Sequence, residues 1–382
     1  MIAIKNVKIV LEHSVIEEGL LLIDGEKIAF CGDKNDAVIP ADCAIYDAEG
    51  LYVGPGFVDI HVHGGNGYMF YDEPLYAAKH FLKNGTTTML PTLYYDLDKK
   101  QFLEAIDKIK SAMSEGEEGK AIAGFYMEGP YMNPKYGAAA EKNKWKGEIK
   151  EEDYKEILEK AGGLAKVWVV APEREGIEEF VQEAKKSNPY AVISAGHSEA
   201  TPAQIQNLKK YNLILQTHTM NATGNPVPAY SGTKTCGPDE ACLTDKEMYA
   251  ELICDSEGIH VPKDLIQMVL SVKGADRLVL ISDSFAIDEK PPKELEHIKD
   301  LQFDSNGDLC GSKLTLNIAC RNMIKHTGCS INDVFLMASR NPARIIGMDS
   351  EIGTIEKGKK ANLVIIDEDF NVKKVMLEGK FI

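Results

Sequence analysis

The chain has 382 residues, of which 44% are hydrophobic and 27% charged, with a formal net charge of −16. That length exceeds one small core and fits a large barrel plus a smaller unit, in a composition ordinary for a globular protein. The acidic excess excludes a general nucleic-acid binder, which needs a basic face, but leaves an anionic small molecule open, because a local site can oppose the overall field. The opening stretch, MIAIKNVKIVLEHSVIEEGL, lacks a long apolar run and carries acids early, which predicts neither a signal peptide nor a membrane span. Eight cysteines are scattered from Cys31 to Cys329 without a Cys-x-x-Cys pair, the expectation for reduced thiols in a cytoplasmic protein.

The first fifty residues read as short strands, Ile2–Leu11, Gly19–Ile23, Lys27–Cys31 and Ala44–Asp47, separated by turns such as Asp24-Gly25 and Gly32-Asp33. The middle of the chain changes pattern. Eight apolar, β-rich runs recur: Gly56–His61, Thr86–Pro91, Ala121–Met127, Lys166–Ala171, Ala191–Ala195, Leu213–Thr217, Leu252–Asp255 and Arg277–Ser282. Helical stretches lie between them, among them Asp98–Met113, Glu151–Lys160, Ile177–Lys186 and Pro202–Tyr211, the last opened by a Thr201 cap and a proline at the first position. Eight strands alternating with helices predict an α/β fold, a (β/α)8 TIM-like barrel, over residues 54–349. The final segment returns to short β runs, Gly353–Glu356, Asn362–Asp367 and Val372–Leu377. Residues 1–53 and 350–382 are therefore expected to form one small β-sandwich domain from both chain ends.

The polar residues at the ends of these strands carry the chemistry. His61 and His63 close the first strand, and residues i and i+2 of a strand point to the same side. Glu128 ends the third strand, His197 the fifth, His218 the sixth and Asp283 the eighth, and His260 follows the seventh. Taken singly, each is more often a hydrogen-bonded structural residue or a helix cap. A barrel, however, gathers its C-terminal strand ends around one mouth. Five of the nine histidines and two carboxylates on that rim predict a site for a divalent metal, zinc first, with iron, manganese or cobalt also suited to nitrogen and carboxylate donors. An ion there acidifies water to a pKa of about 7.

These residues lead to a resemblance that runs over nearly the whole chain. Pro55-Gly56-Phe57-Val58-Asp59-Ile60-His61-Val62-His63-Gly64 is similar to the first-strand motif of the amidohydrolase superfamily. Met127-Glu128-Gly129-Pro130-Tyr131 is similar to the more specific Glu-Gly-Pro-aromatic motif of its N-acetylglucosamine-6-phosphate deacetylase family. Ala195-Gly196-His197-Ser198, Thr217-His218 with Asn221-Ala222, Gly258-Ile259-His260-Val261, Gly311-Ser312 and Asn341-Pro342-Ala343-Arg344 follow in the same order. The resemblance implies that Glu128, His197 and His218 hold one ion, and that His61 and His63 admit a second with Glu128 bridging. It implies that Asp283, beside the metal, moves the proton, and that His260 contacts the sugar and helps polarise the amide carbonyl. Asn221 and Ala222 would hold the distal phosphate of a small amino-sugar substrate in a homodimer.

Two departures bear on that substrate end. The family's Arg-Glu-Pro-Gly arginine is absent from Pro226–Gly237, where Lys234 is the cation at hand, a point charge without the bidentate fork. Tyr136-Gly137-Ala138-Ala139-Ala140 lacks the histidine of the family's Lys-Gly-Ala-His. Tyr131, Tyr136 and Trp145 read equally as a lid after the third strand or as packing. The alternatives to a deacetylase are an amidohydrolase acting on another N-acyl sugar, N-acyl amino acid or cyclic amide, and a non-catalytic metal-binding relative.

Overall fold

In the computed structural model the described residues are 1–138, 140–287 and 289–382, so Ala139 of the segment after Glu-Gly-Pro lies outside them. The N-terminal strands are β1 (Ile2–Val10), β2 (Val15–Asp24), β3 (Lys27–Asp33), β4 (Ala44–Asp47) and β5 (Tyr52–Pro55). Three more come from the other end of the chain: β16 (Leu363–Ile366), β17 (Val372–Leu377) and β18 (Lys380–Phe381). All eight belong to one sheet, ordered β18-β17-β16-β5-β1-β2-β3, with β4 alongside β1. Alternating side chains from both ends, including Ile4, Leu21, Val53, Leu363 and Ile365, close a core of their own.

Only Gly56 separates this sheet from the barrel. Its N–H donates to the Asn362 carbonyl at 2.8 Å, and a Cβ there would lie 2.1 Å from the Thr87 hydroxyl oxygen. The barrel strands are β6 (Phe57–Val62), β7 (Thr86–Tyr94), β8 (Phe125–Glu128), β9 (Ala165–Val170), β10 (Val192–Ala195), β11 (Leu213–Gln216), β12 (Tyr249–Ile253) and β13 (Leu278–Ile281). They pair in chain order, all parallel. The circle closes where the Asp283 N–H donates to the His61 carbonyl at 2.9 Å and the His63 N–H to the Ser284 carbonyl at 2.9 Å. These strands are covered on both faces, which is why they read as continuous apolar runs.

The strands alternate with helices α1 (Pro74–Lys83), α2 (Lys99–Ala112), α3 (Glu151–Ala161), α4 (Ile177–Ser187), α5 (Pro202–Leu208), α6 (Pro238–Thr244), α7 (Lys263–Lys273) and α8 (Leu316–Thr327). Asp98 and Thr201 each form a reciprocal capping box with the glutamine three residues on. A hairpin, β14 (Leu301–Phe303) and β15 (Leu309–Ser312), stands between β13 and α8.

Four expectations need correction: Gly32-Asp33, read as a turn, closes β3, and the seventh barrel strand runs Tyr249–Ile253 instead of Leu252–Asp255. Gly353–Glu356 is irregular and not strand: Gly353 has φ +91°, outside the extended region. The third barrel strand starts at Phe125 instead of Ala121, because Gly124, at φ +147°, breaks the ladder ahead of it. Among the described residues, no helix is long and apolar enough to cross a membrane. All eight cysteines are free thiols.

Candidate metal centre at the barrel mouth

Every strand-end residue singled out above reaches the mouth. Glu128 is the hub, buried at the end of β8, and its two oxygens face different partners. Oε2 lies 3.3 Å from His61 Nε2 and 3.0 Å from His63 Nε2. Oε1 lies 2.8 Å from His197 Nε2 and 3.2 Å from His218 Nε2. Asp283 joins the first pair, with Oδ1 3.4 Å from His61 Nε2 and 3.2 Å from His63 Nε2. Three of these residues leave their strands on left-handed backbone: His197 at φ 45°, His218 at 28° and Asp283 at 46°. Such conformations cost non-glycine residues on the order of 1–3 kcal/mol and persist where the surroundings over-determine them.

Charge accumulates in this buried cluster. Burial opposes ionisation of Glu128, yet the adjoining His61 charge and hydrogen bonds from the facing imidazoles hold it well below the usual carboxylate range. Burial likewise works against the Asp283 carboxylate, and His61 and His63 hold it low. Burial pulls His197 down against the hydrogen bond to Glu128.

The donor set fits a metal. His61, His63 and Glu128 offer ligand atoms within 4.8 Å of one another, and so do Glu128, His197 and His218. The His218 Nδ1 faces the Asn221 carbonyl at 3.0 Å, an acceptor, so in a neutral, metal-binding imidazole that nitrogen keeps the proton and the Nε2 lone pair would point inward. There it meets His197 Nε2 at 3.0 Å. His61 Nε2 and Glu128 Oε2 are buried without a hydrogen-bond partner. Converging lone pairs and a carboxylate repel one another unless a cation lies among them.

Beside the cluster opens a cavity of ≈ 240 Å³, whose lining includes Asn221, Ala222, His260 and Asp283. Asp255 holds His260 by accepting from its backbone N–H at 2.8 Å and lying 3.0 Å from its Nδ1. His260 Nε2 faces the Gly311 carbonyl at 2.9 Å. The structure does not bring Lys234 here: it is exposed on the loop before α6, and no lysine or arginine lines the cavity among the described residues. Tyr131 and Trp145 are core, meeting edge-to-face at 5.8 Å. Tyr136 is half-buried, and its hydroxyl donates to Glu199 at 3.0 Å.

Residues 52–382 match the model of the amidohydrolase family. The chain belongs to that family. Amidohydrolases are metal-dependent hydrolases of carbon–nitrogen bonds, and the two converging donor groups agree with that chemistry. Among curated amidohydrolase relatives, the N-acetylglucosamine-6-phosphate deacetylase of Bacillus subtilis is 28% identical, covering 98% of this chain and 96% of its own. The N-acetylgalactosamine-6-phosphate deacetylase of Escherichia coli O157:H7 is 26% identical, covering 95% and 96%. Among solved amidohydrolase structures, the N-acetylglucosamine-6-phosphate deacetylase of Pasteurella multocida superposes with a TM-score of 0.87 at 25% identity, over 100% of this chain and 99% of that one.

Sequence reasoning missed the buried acids behind this amidohydrolase site. Asp59, Glu251 and Asp255 are all fully buried. A carboxylate inside an apolar strand, as in Tyr249–Ile253, was the available signal. Of the hairpin residues that line the cavity, Gly311 entered only through the resemblance, and Asp308, Leu309 and Cys310 carried no signal.

Proposed function

We propose that this amidohydrolase removes the N-acetyl group of N-acetylglucosamine 6-phosphate, giving glucosamine 6-phosphate and acetate. The observation that carries the reading is the Glu128 carboxylate split between two histidine pairs, with Asp283 facing one of them beside a cavity. Full-length similarity to deacetylases of amino-sugar phosphates supports it.

His61, His63 and Glu128 on one side, and Glu128, His197 and His218 on the other, would hold one or two divalent ions, with Asp283 adjoining as a further ligand. Zinc suits this set, and iron, manganese or cobalt would also be accepted. A bound ion would supply Lewis acidity, lowering the pKa of water and polarising the acyl carbonyl. Asp283, held as a carboxylate, takes the proton from the attacking water and delivers it to the departing sugar nitrogen. His260, oriented by Asp255, contacts the sugar and its acyl carbonyl once the Gly311 carbonyl is displaced. Asn221 and the backbone of Ala222 hold the phosphate end.

The catalytic barrel would span 54–349 and the small unit 1–53 with 350–382. A cytoplasmic homodimer is the proposed state. The free thiols suit a reducing compartment, and Val227 and Tyr230 expose apolar surface on the Lys234 loop. Acetate release from the zinc-reconstituted protein tests the reading, comparing N-acetylglucosamine 6-phosphate, N-acetylgalactosamine 6-phosphate and unphosphorylated N-acetylglucosamine. Strong preference for the first supports it, and preference for the second transfers the assignment to the C4 epimer, as the E. coli relative suggests. No turnover of any of the three overturns the sugar substrate.

A further inference from the structure

Glu251 sits in the middle of β12, fully buried in the barrel interior, where no lysine or arginine approaches it among the described contacts. The proposed reaction gives it no task. A carboxylate in such a place is costly unless its oxygens are satisfied. Here they are. The Tyr126 hydroxyl lies 3.0 Å from both oxygens, the His218 backbone N–H donates to Oε2 at 3.3 Å, and His61 Nδ1 lies 3.3 Å from Oε2.

The directions of the hydrogen bonds follow from the Glu251 oxygens acting as acceptors. Tyr126 must donate to Glu251, so Thr217, 2.8 Å away, donates to Tyr126. Ser194, 2.7 Å from Thr217, donates in turn. One directed chain thus crosses β10, the end of β11, β8 and β12, and ends on the acid. Its Oε2 also accepts from His61 Nδ1, so that in the neutral, metal-binding imidazole the Nε2 lone pair would face Glu128 and Asp283. The Tyr126 ring also stacks on the His61 imidazole, with centroids 4.4 Å apart and planes 27° from parallel. Both the tautomer and the tilt of His61 are therefore set from behind.

We propose that Glu251 is a positioning residue that fixes His61 as an Nδ1-protonated imidazole with its Nε2 presented to a metal ion. The inference rests on the metal-site reading above. It predicts that losing the carboxylate weakens the ion held by His61 and His63 while sparing the group of Glu128, His197 and His218. Outer partners of metal-bound histidines are typically worth about 10- to 100-fold in affinity.

The test is calorimetric titration of the metal-stripped protein with zinc, alongside the absorption spectrum with cobalt, for wild type, Glu251→Gln and His61→Asn. The amide keeps the shape of the acid, and thermal unfolding verifies that each variant folds. The expected result is that both variants lose or weaken the same ion, by about 10-fold or more in Glu251→Gln, with the other ion unchanged. Glu251→Gln binding zinc as wild type does, while His61→Asn loses an ion, overturns the positioning role and leaves the metal reading standing. His61→Asn binding as wild type does overturns both. A lowered unfolding temperature with unchanged zinc affinity assigns Glu251 to stability alone and also overturns the proposal.

Discussion

At the scale of single residues, the mouth concentrates groups that a folding chain would otherwise avoid. His197, His218 and Asp283 occupy left-handed backbone, and Glu128 and Asp283 are buried acids. Strain and buried charge gathered in one cluster, and both on Asp283, place the site where cluster chemistry compensates both. Asp283→Asn keeps the shape and removes the proposed proton transfer, so kcat in the acetate assay is expected to fall about 10²- to 10⁴-fold, and a KM near that of wild type would accompany it. An unchanged kcat would remove Asp283 from the mechanism. His218→Ala takes away a donor whose Nδ1 is already pinned by Asn221, and is expected to lower the metal content of the protein in elemental analysis. The rim residues were legible because each punctuates the end of an apolar run. Asp59, Glu251 and Asp255 were not, since their meaning lies in contacts across strands distant in sequence: the His61 ring touches Glu251 only because β6 and β12 curl around one interior.

At the scale of elements, the β14–β15 hairpin connects the outside of the barrel to its chemistry. The Ser312 N–H donates to the Asp283 carbonyl and the Phe285 N–H to the Ser312 carbonyl, so the hairpin base is tied to the segment that carries the acid. Gly311, at φ +58°, has no room for a side chain, as a Cβ would lie 2.6 Å from the Asp283 carbonyl oxygen. Gly311→Ala is therefore expected to cost about 1–2 kcal/mol of stability and to lower kcat/KM as Asp283 shifts. Thermal unfolding and acetate-release kinetics read the two effects, and wild-type values for both would refute the tie. Barrel strands were visible beforehand because burial on both faces demands β-branched and apolar runs. The hairpin escaped notice because Asp304–Asp308, Asp-Ser-Asn-Gly-Asp, is turn chemistry that says nothing of the cavity beside it.

At the scale of the whole molecule, the two chain ends meet in a sheet that abuts the barrel at Gly54 and Gly56. A Cβ on Gly54 would lie 2.1 Å from the buried Phe335 ring, so Gly54→Ala is expected to destabilise the protein by about 1–3 kcal/mol, seen as a lower unfolding temperature with the metal site's zinc affinity retained. Metal removal acts globally as well. An ion that binds the native chain and not the unfolded one contributes about 2.7 kcal/mol at a hundredfold excess over its Kd, so chelation is expected to lower the calorimetric unfolding temperature and abolish acetate release, and zinc to restore both. The two-domain plan was readable from the change in pattern along the chain, whereas the seam between sheet and barrel depended on close approaches that no periodicity encodes.

The interleaving of that sheet also bears on how the protein is made. β5 pairs with β16, and β6 closes onto the segment after β13. A ribosome therefore releases the His61-Val62-His63 segment long before the segment after β13 that closes its second edge exists. During translation the first barrel strand must wait with one edge unpaired, and a delay of that kind is slow and exposed to misassociation. Arrested or truncated nascent chains would thus carry a histidine pair with no Asp283 and no completed sheet, and quality control would meet them as open-edged intermediates.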